Sequence, residues 1–61
     1  MKTRRLTAHA GDGRTDTRRT ASPYTHVVFY LDGRRPTWHT SRELAERRAG
    51  AADDIVRCEE A

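Results

Sequence analysis

Arginine is the residue type whose chemistry points most clearly to a function in this sequence. Five arginines lie within the first 22 residues, and two more follow a predicted turn. A guanidinium group offers forked N–H donors that match the oxygens of a phosphate group. The pattern therefore indicates contact with nucleic acid. The candidate contact residues are Arg4, Arg5, Arg14, Arg18, Arg19, Arg34 and Arg35.

Histidine and cysteine are the residues to test for metal binding. His26 and His39 would face each other in the hairpin described below, with Cys58 or His9 as a further ligand. A structural zinc site needs four well-placed ligands at a recognisable spacing, which this set does not provide. We therefore predict no metal site and no cofactor, and we expect both hairpin histidines to lie at the surface.

Nucleophilic side chains are present, but none has a base at a suitable spacing. Thr40 and Ser41 follow His39, and capping of a helix that begins there explains their hydroxyl groups. Cys58 is flanked by Arg57 and glutamate, which favours an inert thiol over a nucleophile. No glycine-rich phosphate loop is found. We therefore expect a binding protein without enzymatic activity.

The chain divides into two parts of different charge. Residues 1–22 carry six basic and two acidic residues, a net charge of +4, whereas residues 23–61 carry −1. Leu6 is the one large apolar residue after Met1 in the first part, in which we identify neither helical nor alternating periodicity. We predict a flexible basic arm over residues 1–22 and a small folded domain over residues 23–61.

The size and composition limit the class of protein further. A chain of 61 residues buries only about 60% of its unfolded surface, so we expect marginal stability and a partner. A single cysteine cannot form an internal disulfide, which is typical of the reducing cytoplasm. No apolar run has the length of an export signal core or a membrane span. We predict a cytoplasmic protein without membrane contact.

The stretch VVFYLDGRRPTW, residues 27–38, predicts a β-hairpin about Asp32 and Gly33. We place its strands near 25–31 and 34–39. A two-residue turn sets the register, which puts Val27 opposite Trp38 and His26 opposite His39. Pro36 cannot donate a ladder hydrogen bond, so the second strand should lie at a sheet edge.

A helix and a last strand should follow this hairpin. Thr40 and Glu43 have the spacing of a capping box, which predicts a helix that begins at Ser41 and stops at Gly50. The residues IVRCEE then form a short strand. The resulting fold class is α+β: a three-stranded antiparallel sheet of order 2-1-3, in the chain order ββαβ, with one helix packed on one face.

One helix can cover only one face of such a sheet. We assign to the covered face Val27, Phe29, Leu31 and Trp38. The other face would be exposed and would show His26, Val28, Tyr30, Thr37 and His39. An exposed face of mixed apolar and polar residues is typical of a binding surface.

Two functions remain open from the sequence. The first is a regulator or accessory factor that binds nucleic acid through the basic arm and the exposed sheet face. The second is an adaptor or inhibitor that dimerises or docks on a larger protein through the same face. The arm has no structural use in this interpretation, which favours nucleic acid as the partner.

Overall fold

Two three-stranded antiparallel sheets and a short helix make up the fold in the computed structural model, which describes residues 2–61. The elements in chain order are β1 (Arg4–His9), β2 (Thr15–Thr20), β3 (His26–Phe29), β4 (Thr37–His39), α1 (Arg42–Arg48), β5 (Asp54–Arg57) and β6 (Glu59–Glu60). The first sheet has the order β2-β1-β6 and the second the order β4-β3-β5. The predicted single ββαβ sheet is therefore wrong, although the fold remains α+β-like.

Residues 4–20 form a β-hairpin, so the disordered arm predicted over residues 1–22, of which Met1 lies outside the described residues, is also wrong. β1 and β2 pair from Arg4 with Thr20 to His9 with Thr15. Their turn is closed by a hydrogen bond from Gly13 N to the Ala10 carbonyl at 3.1 Å. Gly13 has φ +96°, a left-handed conformation that glycine adopts without steric cost.

The second hairpin has the predicted register over a shorter length. Val27 lies opposite Trp38 and His26 opposite His39, which confirms the pairing about the turn. Pairing ends at Val28, because the chain turns through Tyr30 and Gly33, whose N–H donates to the Tyr30 carbonyl at 3.2 Å. β4 lies at the edge of its sheet, as predicted from the proline.

The helix begins one residue later than predicted and ends earlier. Ser41 is the N-cap, and its Oγ accepts a hydrogen bond from Leu44 N at 3.2 Å. The last helical residue is Arg48. Gly50 N donates instead to the Asp53 carboxylate at 2.7 Å, which turns the chain toward β5.

The last segment of the chain joins the two sheets. β5 pairs with β3 in the second sheet, while β6 pairs with β1 in the first, and Cys58 alone separates them. Cys58 N donates to the Thr25 carbonyl at 3.0 Å, and its Sγ donates to the Tyr24 carbonyl at 3.2 Å. The predicted last strand is thus two strands in two sheets.

Both faces of β3 are buried by the chain itself. Val27 and Phe29 face the first sheet, in a cluster completed by Leu6, Ala8, Ala10 and Trp38. Val28 and Tyr30 face the helix, and they pack against Ala45. The hairpin over residues 4–20 therefore supplies the second cover that one helix could not.

The prediction of an exposed sheet face is consequently wrong. Val28 is 0% exposed and Tyr30 is 4% exposed, while His26, Thr37 and His39 are partly buried. The helix covers this face rather than the face of Val27. Leu31, which we had placed under the helix, lies in the turn and is 71% exposed.

Candidate nucleic-acid interface

Arg14 is a structural residue rather than a free cation. Its Nε lies 2.8 Å from the Asp12 carboxylate, and its Nη1 donates to the Tyr30 carbonyl at 2.8 Å. The guanidinium group also lies 5.6 Å from the centre of the Phe29 ring. Arg14 therefore joins the first turn to the second sheet.

Arg18 also contacts the protein's own side chains. Its guanidinium carbon lies 5.7 Å from the ring centre of Tyr24 and 5.8 Å from that of Trp38. These two rings pack edge to face, with centres 5.9 Å apart. Cation–π contacts of this kind hold Arg18 over the end of the core.

Arg34 and Arg35 follow the second turn and differ in their contacts. Arg34 pairs with Asp32 at 2.8 Å and lies 4.4 Å from the centre of the Tyr30 ring. Arg35 is exposed and makes no ion pair within residues 2–61. Arg34 is therefore partly neutralised, while Arg35 remains available.

The outer face of the first sheet carries the remaining arginines of the hairpin. Side chains alternate along a strand, so the neighbours of buried Leu6 and Ala8 point away from the core. Three pairs of directly opposite residues make up this outer face: Arg5 with Arg19, Thr7 with Thr17, and His9 with Thr15. The face is polar throughout and carries no Phe, Tyr or Trp side chain.

Hydrogen bonds join the members of two pairs on the outer face, Thr7 with Thr17 and His9 with Thr15. Thr7 Oγ1 lies 3.4 Å from Thr17 Oγ1, and His9 Nδ1 lies 3.2 Å from Thr15 Oγ1. The Arg5–Arg19 pair differs, because two like charges stand opposite each other and oppose strand pairing. The outer face therefore contains one pair that costs stability beside two that support it.

The charges of Arg5 and Arg19 are not neutralised by the rest of the described chain. Both side chains are exposed, and neither makes an ion pair within residues 2–61. Arg19 Nη1 donates weakly to Thr3 Oγ1 at 3.4 Å. Glu59, opposite Thr7 on β6, is the acidic residue that borders this face. Two adjacent guanidinium groups are thus free to bind an external anion.

Arg4 lies on the same strand but on a different surface. It borders an open pocket of about 350 Å³ between the ends of the two sheets. The pocket is also lined by Tyr24, Arg57, Glu59 and the half-buried Cys58. Burial raises the pKa of the Cys58 thiol, so it does not have the character of a reactive thiolate.

A hydrogen-bond chain runs along the face of the second sheet that lies under the helix. Tyr30 Oη lies 2.7 Å from Thr37 Oγ1, which lies 2.7 Å from His39 Nε2. Beside it, His26 Nδ1 lies 2.8 Å from Thr25 Oγ1. Three of the five residues predicted on an exposed binding face, Tyr30, Thr37 and His39, are therefore hydrogen-bonded to one another.

Among the residues that the structure describes, no group of three or more His, Cys, Asp or Glu side chains is placed to hold a metal ion. The helix found in residues 2–61 has seven residues and is not long and apolar enough to cross a membrane.

In comparisons with known proteins, no family model, no curated protein and no solved structure matches this chain.

Proposed function

We propose that this chain is a small cytoplasmic binding protein without enzymatic activity, a regulator or accessory factor that binds nucleic acid through the outer face of its first sheet. The observation that carries the proposal is the exposed cross-strand pair of Arg5 and Arg19. Such a pair weakens the hairpin. A ligand that carries negative charge would compensate that cost.

The composition of the outer face favours the phosphate backbone of a duplex as the ligand. Arginine and threonine are common donors to phosphate oxygens, and these contacts carry no base preference. Single-strand binding depends instead on aromatic rings on which bases stack. The outer face carries no Phe, Tyr or Trp, and its one imidazole, that of His9, is hydrogen-bonded to Thr15. We therefore propose electrostatic duplex binding with little sequence preference.

The alternative function, a protein adaptor, needs a docking surface that is not exposed in this structure. It required an open face containing Val28 and Tyr30, and the helix buries both residues. We therefore do not extend the proposal to docking or dimerisation through that face.

The absence of enzymatic activity is part of the proposal and has two supports. Ser41 Oγ already accepts the hydrogen bond that caps the helix. The Cys58 Sγ–H donates to a backbone carbonyl, and burial raises the pKa of its thiol. Both groups are explained by structural roles. The lone reduced thiol also supports the cytoplasm as the compartment.

The experiment measures the affinity for a labelled DNA duplex at several salt concentrations. In the double variant Arg5→Gln/Arg19→Gln, binding should weaken. The slope of log affinity against log salt should become shallower by about 0.9 per lost phosphate contact, or about 1.8 for two. The matched control is Arg47→Gln/Arg48→Gln, which removes the same net charge from two exposed residues of the helix.

The two double variants separate the outer face from net charge. The proposal expects the helix variant to keep the slope of the unmodified protein. Equal slopes for both variants would mean that binding follows total charge and not this face. No measurable duplex binding by the unmodified protein at low salt would refute the proposed function altogether.

A further inference from the structure

Three cationic or ionisable residues form a row across the second sheet. His26 on β3 lies directly opposite His39 on β4, and on its other side directly opposite Arg57 on β5. Side chains of directly opposite residues share one face and lie about 5 Å apart at Cβ. The row His39–His26–Arg57 therefore places two imidazoles and a guanidinium group side by side.

The threonines beside the row hold one nitrogen of each imidazole. His26 Nδ1 lies 2.8 Å from Thr25 Oγ1, and His39 Nε2 lies 2.7 Å from Thr37 Oγ1. The second nitrogen of each ring has no hydrogen-bond partner within residues 2–61. Each ring is thus held at one atom and able to donate to a ligand at the other.

The charges that face the row are mostly positive. The helix contributes Arg42, Glu46 and Arg48, and Glu46 is paired with Arg42 at 3.7 Å. Arg57 is exposed and makes no ion pair in the part of the chain that the structure describes. No carboxylate lies within the row itself. Its positive charge therefore lacks an internal counterion.

Protonation of the two histidines is disfavoured while the row is empty. Burial, with the charges of Arg57 and Arg42, lowers the pKa of His26, although Glu46 acts in the opposite direction. Burial and the charge of Arg48 lower the pKa of His39. A bound anion would reverse this balance, because it would attract the protons that the arginines repel.

We propose that the row His39–His26–Arg57 is a binding site for a tetrahedral dianion of the phosphate class, and that binding is coupled to protonation of the two imidazoles. The unpartnered ring nitrogens and the guanidinium group are the donors. A singly charged phosphodiester would satisfy fewer of these positive charges than a dianion. The site lies on the second sheet, so it is separate from the outer face that carries the proposed duplex contacts.

The test follows the ring protons of His26 and His39 by NMR from about pH 8 to about pH 5. Sulfate is the first probe because it remains a dianion across this range, and chloride at equal ionic strength is the reference. Sulfate should raise the titration midpoints of His26 and His39 by about half a unit, a threefold gain in proton affinity.

A matched pair of variants tests the role of the guanidinium group. Arg57→Gln should lose most of the sulfate effect, whereas Arg47→Gln, on the exposed side of the helix, should keep it. An unchanged effect in Arg57→Gln would overturn the row as the site. In the unmodified protein, midpoints of His26 and His39 that are the same in sulfate and in chloride would overturn it without any variant.

Further probes distinguish the source of the ligand. Inorganic phosphate takes up a proton within this pH range, so it should raise both midpoints in the same direction as sulfate but by less, which would support a free dianion or phosphate monoester. A short DNA duplex should leave both midpoints in place. A response to the duplex alone would refute the dianion site and assign the row to backbone phosphates. The Arg5→Gln/Arg19→Gln variant should retain the sulfate effect, so the two proposals can fail independently.

Discussion

The contact between Trp38 and Asp16 shows how a single polar atom joins the two sheets. Trp38 is 8% exposed, and its indole Nε1 donates to the Asp16 carboxylate at 2.7 Å. Asp16 belongs to β2 and Trp38 to β4, the edge strands of the two sheets. A buried indole N–H needs such an acceptor, because an unsatisfied donor keeps its desolvation cost.

Loss of this acceptor should destabilise the protein. We expect Asp16→Ala to lower the free energy of unfolding in urea by about 1–3 kcal/mol, since the indole N–H would remain unpaired. Asp16→Asn keeps an oxygen acceptor and should recover most of the loss. The control is Thr17→Ala on the outer face, which removes only the 3.4 Å contact with Thr7 Oγ1 and should cost less than about 1 kcal/mol. Equal losses for Asp16→Ala and Asp16→Asn would contradict the role of the hydrogen bond.

The sequence identified the arginines but not their partners. Arg18 and Arg19 are neighbours in a polar strand, and strand alternation gives them opposite roles. Arg18 stacks over the rings of the core, while Arg19 stands opposite Arg5 on the outer face. Composition alone made all seven candidates equivalent. The distinction required the register of a hairpin that the sequence did not reveal to us.

At the scale of the elements, the first hairpin is where prediction from sequence failed most. Its inward positions are Leu6, Ala8 and Ala10, which do alternate with polar residues. Two of the three are alanines, and β2 contains no large apolar residue, so the alternating signal is weak. By contrast, the second hairpin contains aromatic and β-branched residues and an Asp-Gly turn, and its register was predicted correctly.

The packing of the first hairpin on the core predicts a clear difference between two leucines. Leu6 is buried against the face of Val27 and Phe29, whereas Leu44 is 41% exposed on the helix. We expect Leu6→Ala to lower the free energy of unfolding by about 2–5 kcal/mol, because it leaves a cavity between the sheets. The same change at Leu44 should cost far less. Chemical denaturation of both variants measures the difference.

This comparison also tests whether residues 1–22 form part of the folded core. For a disordered arm, Leu6→Ala would leave the midpoint and slope of the transition unchanged. If the hairpin is buried, Leu6→Ala should lower the denaturant concentration at the midpoint of unfolding, or the variant should not fold at all. If the two leucine variants unfold alike, the hairpin is not packed as described.

At the scale of the whole molecule, the apolar residues on both faces of β3 required two covers. The sequence showed this requirement, because Val27 and Phe29 alternate with Val28 and Tyr30, but it supplied one obvious helix. The second cover is formed by contacts between residues far apart in the chain. Such contacts leave little local pattern. The sequence therefore predicts the helix on the face of Val27 and an exposed binding surface on the other face, and both predictions are wrong.

The burial of His26 and His39 makes the stability of the whole molecule depend on pH. Both have a pKa below the ordinary value of 6.5 in the folded protein, chiefly because of burial. The unfolded chain therefore binds more protons between the folded pKa values and about pH 6.5. The stability from keeping these imidazoles neutral is fully present above that pH and declines as the pH falls through this window.

Carboxylates respond in a separate, more acidic window. Backbone N–H groups of Leu31 and Gly50 donate to the Asp53 carboxylate and lower its pKa below 3.8. The stability that ionised Asp53 contributes is thus present above about pH 4 and is lost only as the pH falls further. A decline in the free energy of unfolding between about pH 6.5 and about pH 5 is therefore attributable to the histidines.

We predict that the free energy of unfolding falls between about pH 7 and about pH 5, and that His26→Gln/His39→Gln reduces this fall. Urea denaturation at each pH measures it, with His9→Gln as the control that removes an imidazole from the exposed outer face. If the free energy of unfolding depends on pH in the double variant as it does in the unmodified protein, these two histidines are not the cause.

In sulfate, the unmodified protein should regain stability near pH 5, because a dianion bound to the row favours the protonated rings. In Arg57→Gln, sulfate should restore much less of the stability lost at acidic pH. This result would connect the acid sensitivity of the fold to the anion site itself.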